Sequence, residues 1–297
     1  MSVTDLVESA AALTRARVPY VRATVVRAQH PTSSHAGDTA LVRADGTIDG
    51  FVGGSCAESS VREYGLQVLR GGEPLLLRIV PGSAPADAEP GAVTVANPCL
   101  SGGSMEIFLE PRLPAPRVLV VGDTPIALAL AELGVPLGFA VESTDGTGEP
   151  RPDDAALVVA SHGRGEEPAL AAALRAGVPY VGLVASRVRG AAVLGSLDVP
   201  DELRARVHSP AGLDLGARTA AEIALSILAE LVAERRAAVR VMAPAQPVTA
   251  VDPVCGMTVA AVPASVHLET GSGTVWFCCA GCRDAFAADP ARHAPAS

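Results

Sequence analysis

From residue 117 onward the chain alternates short apolar runs with amphipathic ones, and no other feature restricts its fold as much. Runs at 117–121, 138–142, 155–160, 178–184 and 205–208 have the length and composition of buried strands. Between them, 125–133, 167–176, 187–197 and 219–236 carry helical periodicity. Such alternation implies a parallel sheet covered by helices on both faces. The last helix opens on Thr219 and Glu222, spaced as a capping box, and sets Ile223, Ile227, Leu228 and Leu231 on one side.

Open sheets of this kind meet ligands beyond the carboxyl ends of their strands. Those ends carry Gly122-Asp123-Thr124, Asp145, Ser161-His162-Gly163 and Ser186-Arg187. The first is an altered dinucleotide turn. Gly122 supplies the tight bend and Ala127 replaces a third glycine, but Thr124 stands where a glycine admits a pyrophosphate. Pro125 removes an N–H and Asp123 adds a repulsive charge. Both weaken a nicotinamide-binding expectation. Gly122, Asp123, Thr124, His162, Ser186 and Arg187 are the candidate binding residues of this segment.

Before residue 114 the pattern is mixed, with strand-forming runs at 20–28, 39–43, 74–80, 93–96 and 105–109 and a loop at 81–90. Residues 50–58 (GFVGGSCAE) read as a strand end, a glycine turn and a helix start. Gly53 and Gly54 permit close approach to the main chain. Ser55 and Glu58 have capping-box spacing, which puts Cys56 at the first helical position, where the dipole favours a thiolate. The helix then presents Val61, Tyr64 and Val68 on one face and stops at Gly71-Gly72. A second glycine turn, residues 97–106 (NPCLSGGSME), offers Cys99, Ser101, Gly102 and Gly103. Each turn alone is ordinary; two cysteine-bearing glycine turns in one domain point to a shared cleft for an anion or metal-oxo group. The polar loop 30–35, with Ser33, Ser34 and His35, is a candidate border for it.

Proline-rich joints at 110–116 and 241–250 divide the chain into three expected domains, 1–113, 117–238 and 251–297. The last holds four of the six cysteines. Cys255 lies on a glycine turn and Cys278, Cys279 and Cys282 follow together, a set able to converge on one soft ion, zinc or copper. Cys255, Cys278 and Cys282 are the expected ligands, with Cys279 or His267 as a fourth. A segment of this size has little core, so a metal would also help hold it folded. The expected architecture is α/β multidomain: an α+β domain, a Rossmann-like doubly wound sheet, and a small cysteine-rich module.

Composition excludes several functions. The net charge of -9 argues against nucleic acid or an anionic membrane as main partner. The basic residues are all arginine, so Schiff-base and P-loop lysines are excluded within the chain. The N-terminus lacks a signal-peptide pattern, and the apolar stretch 118–141 is broken by Asp123, Pro125, Glu132 and Pro136, so no membrane insertion is expected. Six cysteines without a secretion signal fit thiol or metal chemistry in a reducing cytoplasm.

Residues 20–236 resemble the XdhC/CoxI family of accessory proteins for molybdenum hydroxylases. The resemblance rests on residues 41–46 (LVRADG), 50–58, 101–111 (SGGSMEIFLEP), 158–163 (VVASHG), 180–187 (YVGLVASR), 210–216 (PAGLDLG) and 222–230 (EIALSILAE). It implies binding of molybdenum cofactor (molybdopterin), protection during sulfuration, and handover to a xanthine dehydrogenase or CO dehydrogenase type apoenzyme. It also implies a cysteine desulfurase as a further partner, and a homodimer. Residues 251–294 are similar to a YHS domain at 252–257 (DPVCGM), Phe277-Cys278, Cys282, Phe286 and Asp289-Pro290. Many family members place a cysteine directly before the second Gly-Gly, where this chain has Ser101. The expectation is a cofactor-binding chaperone; an NAD(P)-binding oxidoreductase and a copper-handling protein acting through the tail are the alternatives.

Overall fold

A computed structural model describes residues 3–82, 89–97, 103–146, 148–241, 248–271 and 273–293. Contacts group them into two compact units, one formed by 1–114 together with 244–297 and the other by 115–243.

The first unit begins with helix α1 (Val3–Arg15) and strands β1 (Tyr20–Gln29), β2 (Thr39–Arg43) and β3 (Ile48–Gly50). Helix α2 (Ser55–Gly71) follows, then β4 (Leu75–Pro81), β5 (Ala92–Asn97) and β6 (Ser104–Arg112). The six strands form one sheet in the order β3-β2-β1-β6-β4-β5, antiparallel except for the β4–β5 pair. Alternate side chains of β1, β2, β4 and β6, such as Val21, Val42, Leu77 and Ile107, pack with Val61 and Val68 of α2 in a closed core. The helix stops at Gly72, whose left-handed backbone lets its N–H reach the Val68 carbonyl.

Within α2, Glu63 is only 6% exposed. Burial lifts its carboxyl from 4.5 to about 7.

The second unit alternates strand and helix throughout. In order it runs β7 (Arg117–Val121), α3 (Pro125–Gly134), β8 (Ala140–Thr144), β9 (Ala156–Val159), α4 (Glu166–Ala176), β10 (Tyr180–Leu183) and α5 (Arg187–Ser196). A one-turn helix α6 (Asp201–Arg204), β11 (Val207–His208) and α7 (Ala220–Val241) complete it. All five strands are parallel, in the order β11-β10-β9-β7-β8. This is a Rossmann-like doubly wound sheet with the 2-1-3-4-5 order of its simpler variant. Val118 and Val120 face α3 and α7, while Leu119 and Val121 face α4, so β7 is apolar at every position after Arg117. Thr219 and Glu222 close their capping box: the Glu222 carboxylate accepts from the Thr219 N–H at 2.9 Å, and the Thr219 hydroxyl oxygen accepts from the Glu222 N–H at 3.2 Å.

Arg117 opens β7 inside the fold, 5% exposed. Its guanidinium donates twice to Asp154, at 2.5 and 2.8 Å, and once to Glu142 at 2.8 Å. Two parallel bonds to a buried carboxylate compensate the loss of hydration that a lone buried charge could not survive.

The rest of the first unit lies at the C-terminus: hairpin β12 (Thr249–Val251) with β13 (Thr258–Ala260), hairpin β14 (Val266–Thr270) with β15 (Gly273–Phe277), and helix α8 (Ala280–Ala288). A short 3-10 turn, Pro290–His293, follows. β13 lies against α2. Val262 sits under Gly46, where an added Cβ would lie 2.7 Å from it and φ is +84°. The C-terminal segment therefore shares its packing with the N-terminal sheet domain. No helix among the described residues is long and apolar enough to cross a membrane.

The buried charges set two expected outcomes. Asp154→Ala leaves Arg117 charged and without its buried partner, and should destabilise the second unit by about 3–5 kcal/mol in guanidinium unfolding. Glu63 keeps its proton to higher pH folded than unfolded, so its ionisation costs stability as pH rises from 4.5 to about 7. Glu63→Gln should therefore be more stable than wild type above pH 7, by roughly 2–3 kcal/mol. That gap should close toward pH 4.5.

Candidate functional site

The α2 N-terminus opens a cavity of about 630 Å³ in the first unit. Gly54, Ser55 and Cys56 line it from the helix, the 30–33 loop and Gly103 from the sheet side, and Cys279, Ala280 and Gly281 from the start of α8. Gly53 lies just behind, with φ +137° and space for a Cβ only at 3.1–3.3 Å from Ala57, Met105 and Ser34. Gly103 is fixed by crowding: a Cβ there would lie 2.2 Å from the Pro31 carbonyl oxygen. Two glycines thus let separate backbone segments close around one space.

The expected Ser55–Glu58 capping box does not form. Gly54 takes the cap position, with φ -70° and ψ 174°, and Ser55 is already helical, so no side chain caps the first turn. Cys56 therefore stands at the second helical position instead of the first. Glu58 is half-buried and does not line the cavity. Of the 30–35 loop, Ser33 lines the space, Ser34 is buried against the Thr32 hydroxyl at 3.0 Å, and His35 is exposed beside Asp38. Cys99, Ser101 and Gly102 lie outside the described residues.

The C-terminal cysteines converge. Cys255 Sγ and Cys278 Sγ are 3.5 Å apart, and Cys278 Sγ and Cys282 Sγ 3.7 Å. Tetrahedral thiolates at a zinc–sulfur distance of about 2.3 Å would be about 3.8 Å apart, so this spacing fits a soft ion. Asp252, fully buried, accepts from the N–H groups of Val254 at 2.9 Å, Cys255 at 3.4 Å and Cys278 at 2.8 Å. Asp252, Cys255, Cys278 and Cys282 bring one ligand atom each within 4.8 Å of the others, a group able to chelate a metal. The hydrogen bond from Cys278 holds the Cys255 thiol below its ordinary range, while Cys278, bonded to Cys255 and Cys56 and buried, is pushed well up. Burial also raises Cys282. His267 is not in the group; its Nδ1 meets the Ser265 carbonyl at 2.8 Å.

A second group was not legible from spacing. Cys56, Cys278 and Cys279 also bring their sulfurs within 4.8 Å of one another. The Cys278-Cys279 pair directly before a helix was the available signal, since adjacent residues there turn toward different neighbours.

In the second unit the candidates separate into two places. His162, Ser186 and Arg187 line a cavity of about 750 Å³ with the 210–217 loop. Gly122 and Asp123 line a smaller one of about 320 Å³ with Asp145, Ser161 and Arg164. Gly122 has φ +115°, and a Cβ would meet the Ala160 carbonyl oxygen at 2.5 Å. Thr124 is buried: it donates to the Ala160 carbonyl at 2.8 Å and accepts from the Ala127 N–H at 3.2 Å. Asp123 pairs with Arg164.

Sequence reasoning missed Glu166, which is 1% exposed. It accepts from the Gly163 N–H at 2.7 Å and the Ser161 hydroxyl at 3.2 Å, and it pairs with Arg189. Although burial opposes ionisation, the bonds from Arg189 and Gly163 hold its carboxyl below the usual range. This network positions His162, itself at φ +54°.

A parallel Rossmann-like sheet joined in sequence to a cysteine-bearing sheet domain defines the class of protein. Residues 118–231 match the XdhC Rossmann domain, and residues 13–80 match the XdhC and CoxI family. The chain belongs to the XdhC/CoxI family. It is 30% identical over 257 residues to the uncharacterized protein YqeB of Escherichia coli K12, covering 76% of this chain and 46% of that protein. It is 27% identical over 156 residues to a probable subunit of xanthine dehydrogenase from Bacillus subtilis 168, covering 44% of this chain and 46% of that protein. The chain thus spans about half the length of these curated relatives. A crystal structure of a xanthine dehydrogenase from Bacillus halodurans aligns at 17% identity and a TM-score of 0.37, over 80% of this chain and 96% of that one. That likeness is too loose to inform the fold.

Asp252→Ala strands three N–H groups, so it should lower stability by about 3 kcal/mol. It should also expose Cys278, now 4% accessible, to faster alkylation, read by peptide mass spectrometry.

Proposed function

We propose that the chain is an accessory factor that binds molybdenum cofactor and delivers it to a molybdenum hydroxylase of the xanthine dehydrogenase or CO dehydrogenase type. The observation that carries this is the cavity at the start of α2, where a helix N-terminus with no side-chain cap and the Cys56 thiol share one space. The N–H groups of the first turn suit the phosphate of a pterin cofactor, and the thiol suits its metal–sulfur end. Its volume lies in the ordinary range for small-molecule sites. Family membership and the similarity to the Bacillus subtilis protein support a client of the xanthine dehydrogenase type.

Gly53, Gly54, Ser55, Cys56 and Gly103 are the residues we assign to this site, with Cys99, Ser101 and Gly102 of the second glycine turn assigned from the sequence pattern alone. We place the cofactor there and not on the second unit for a chemical reason. In the Gly122 turn, Pro125 has no N–H and the Thr124 hydroxyl is engaged with Ala127 and Ala160. The same features disfavour an NAD(P)-dependent oxidoreductase. We assign the His162, Ser186 and Arg187 cavity to recognition within the same delivery role. The C-terminal segment acts as a YHS-like module holding zinc or copper on Cys255, Cys278 and Cys282. A cysteine desulfurase as sulfur donor, a homodimer and a cytoplasmic setting complete the reading.

The test is cofactor retention. Protein loaded anaerobically with molybdenum cofactor should keep pterin and molybdenum in equal amounts through desalting, measured by oxidised-pterin fluorescence and metal analysis. Cys56→Ala should reduce retention at least tenfold. Equal retention by the variant, or none by the wild type, would overturn the reading.

A further inference from the structure

The thiols of the C-terminal segment do not form a closed set, because Cys278 belongs to two groups at once. One joins it to Cys255 and Cys282; the other joins it to Cys279 and to Cys56 of the N-terminal domain. None of these five cysteines is in a disulfide. Asp252 stands in the first group, but its carboxylate already accepts from three N–H groups, which leaves the sulfurs as the natural donors. Three thiolates per group is a donor set that selects soft d10 ions over hard ones. Two helix N-termini reach the cluster, α2 beside Cys56 and α8 at Cys279, and their dipoles offset the negative charge several thiolates accumulate.

We propose that Cys56 and Cys279 complete, with the shared Cys278, a thiolate site for a soft d10 ion such as Cu(I) or Zn(II), so that the ion fastens the C-terminal segment to the α2 N-terminus. Each ligating thiol gives its proton to solvent as its sulfur binds, and no electron is transferred. Cys56 and Cys279 both line the 630 Å³ cavity, so the ion stands in that wall. An effect of the ion on cofactor binding there rests on the functional reading above; the ion site itself does not.

Metal alone therefore serves as the probe. The full chain, freed of metal and pterin and kept reduced without oxygen, is given two equivalents of Cu(I) or Zn(II), enough for both thiolate groups, and pulsed with an alkylating reagent. Mass spectrometry then reads the rate at each cysteine. At least a tenfold slowing at Cys56 and Cys279 with either ion supports the site. Unchanged rates at Cys56 with both ions overturn it, including the case where only Cys255, Cys278 and Cys282 are protected. As a second measurement, Cys56→Ala should weaken the binding of one of two Cu(I) equivalents at least tenfold against a chromophoric chelator. Cys56 is half-buried at a cavity wall, so the alanine variant is expected to fold, and circular dichroism checks it. Unchanged affinity in the folded variant overturns the proposal. Pterin retention tests the functional reading separately, so the two fail independently.

Discussion

One buried carboxylate sets the geometry on which the chemistry of the first unit depends. Asp252 has no exposed surface, and three N–H groups from two chain segments point at it. Two come from its own turn, where Gly256 at φ +77° lets the backbone fold back so that its N–H meets the Asp252 carbonyl at 2.8 Å. The third comes from Cys278 at the end of β15. A charge taken out of water is tolerated only with such partners. Burial works against ionisation here, yet the bonds from Cys278 and Val254 hold the group below the ordinary carboxylate range. By drawing the two segments together, Asp252 brings Cys255 and Cys278 within sulfur contact.

What can be read from a sequence depends on how local its cause is. The central strands β7, β9 and β10 of the second unit were legible because a strand buried on both faces has no polar side to confuse the pattern. The Thr219–Glu222 box was legible and forms, since both partners lie within one turn. Ser55 and Glu58 have the same spacing and form none. A capping side chain must belong to the extended residue that precedes the helix, and Gly54 takes that conformation one residue early. Spacing shows which pairs are able to meet, not which residue turns the chain. The meeting of Cys56 with Cys278 and Cys279 has no local cause at all. It follows from β13 packing on α2, a contact between distant parts of the chain. Glu63 was equally invisible, because a carboxyl on an amphipathic helix reads as solvated until the packing around it is known.

The two units divide the chemistry between them. Every cysteine of the chain falls in the segments of the first unit and none in the second. Soft-ligand chemistry is therefore confined to the first unit. The second is organised by hydrogen bonds and charge: Arg117 with Asp154 at the start of the sheet, and Glu166 with Arg189 and Gly163 beyond its carboxyl ends. Glu230 repeats the device, accepting from the Tyr180 hydroxyl at 2.6 Å and the Gly212 N–H at 2.8 Å, with His208 alongside at 3.1 Å. Its bond to Gly212 ties α7 to the loop that lines the larger cavity.

This division gives the absence of lysine a physical sense. Several arginines of this chain meet carboxylates, Arg117 through two arms of its planar fork at Asp154, and Arg43 and Arg22 at Asp49 and Glu110. None of these arginines lines the cavity at the start of α2, whose walls carry instead the first turn of that helix, the polar side chains of His30, Thr32 and Ser33, and the thiols of Cys56 and Cys279. Amide dipoles hold an anion without the strong ion pairing that a guanidinium would add. On the proposed reading, a cofactor held there by amides and thiols is gripped less strongly than one clamped by guanidinium groups, which suits a site that hands its cargo on.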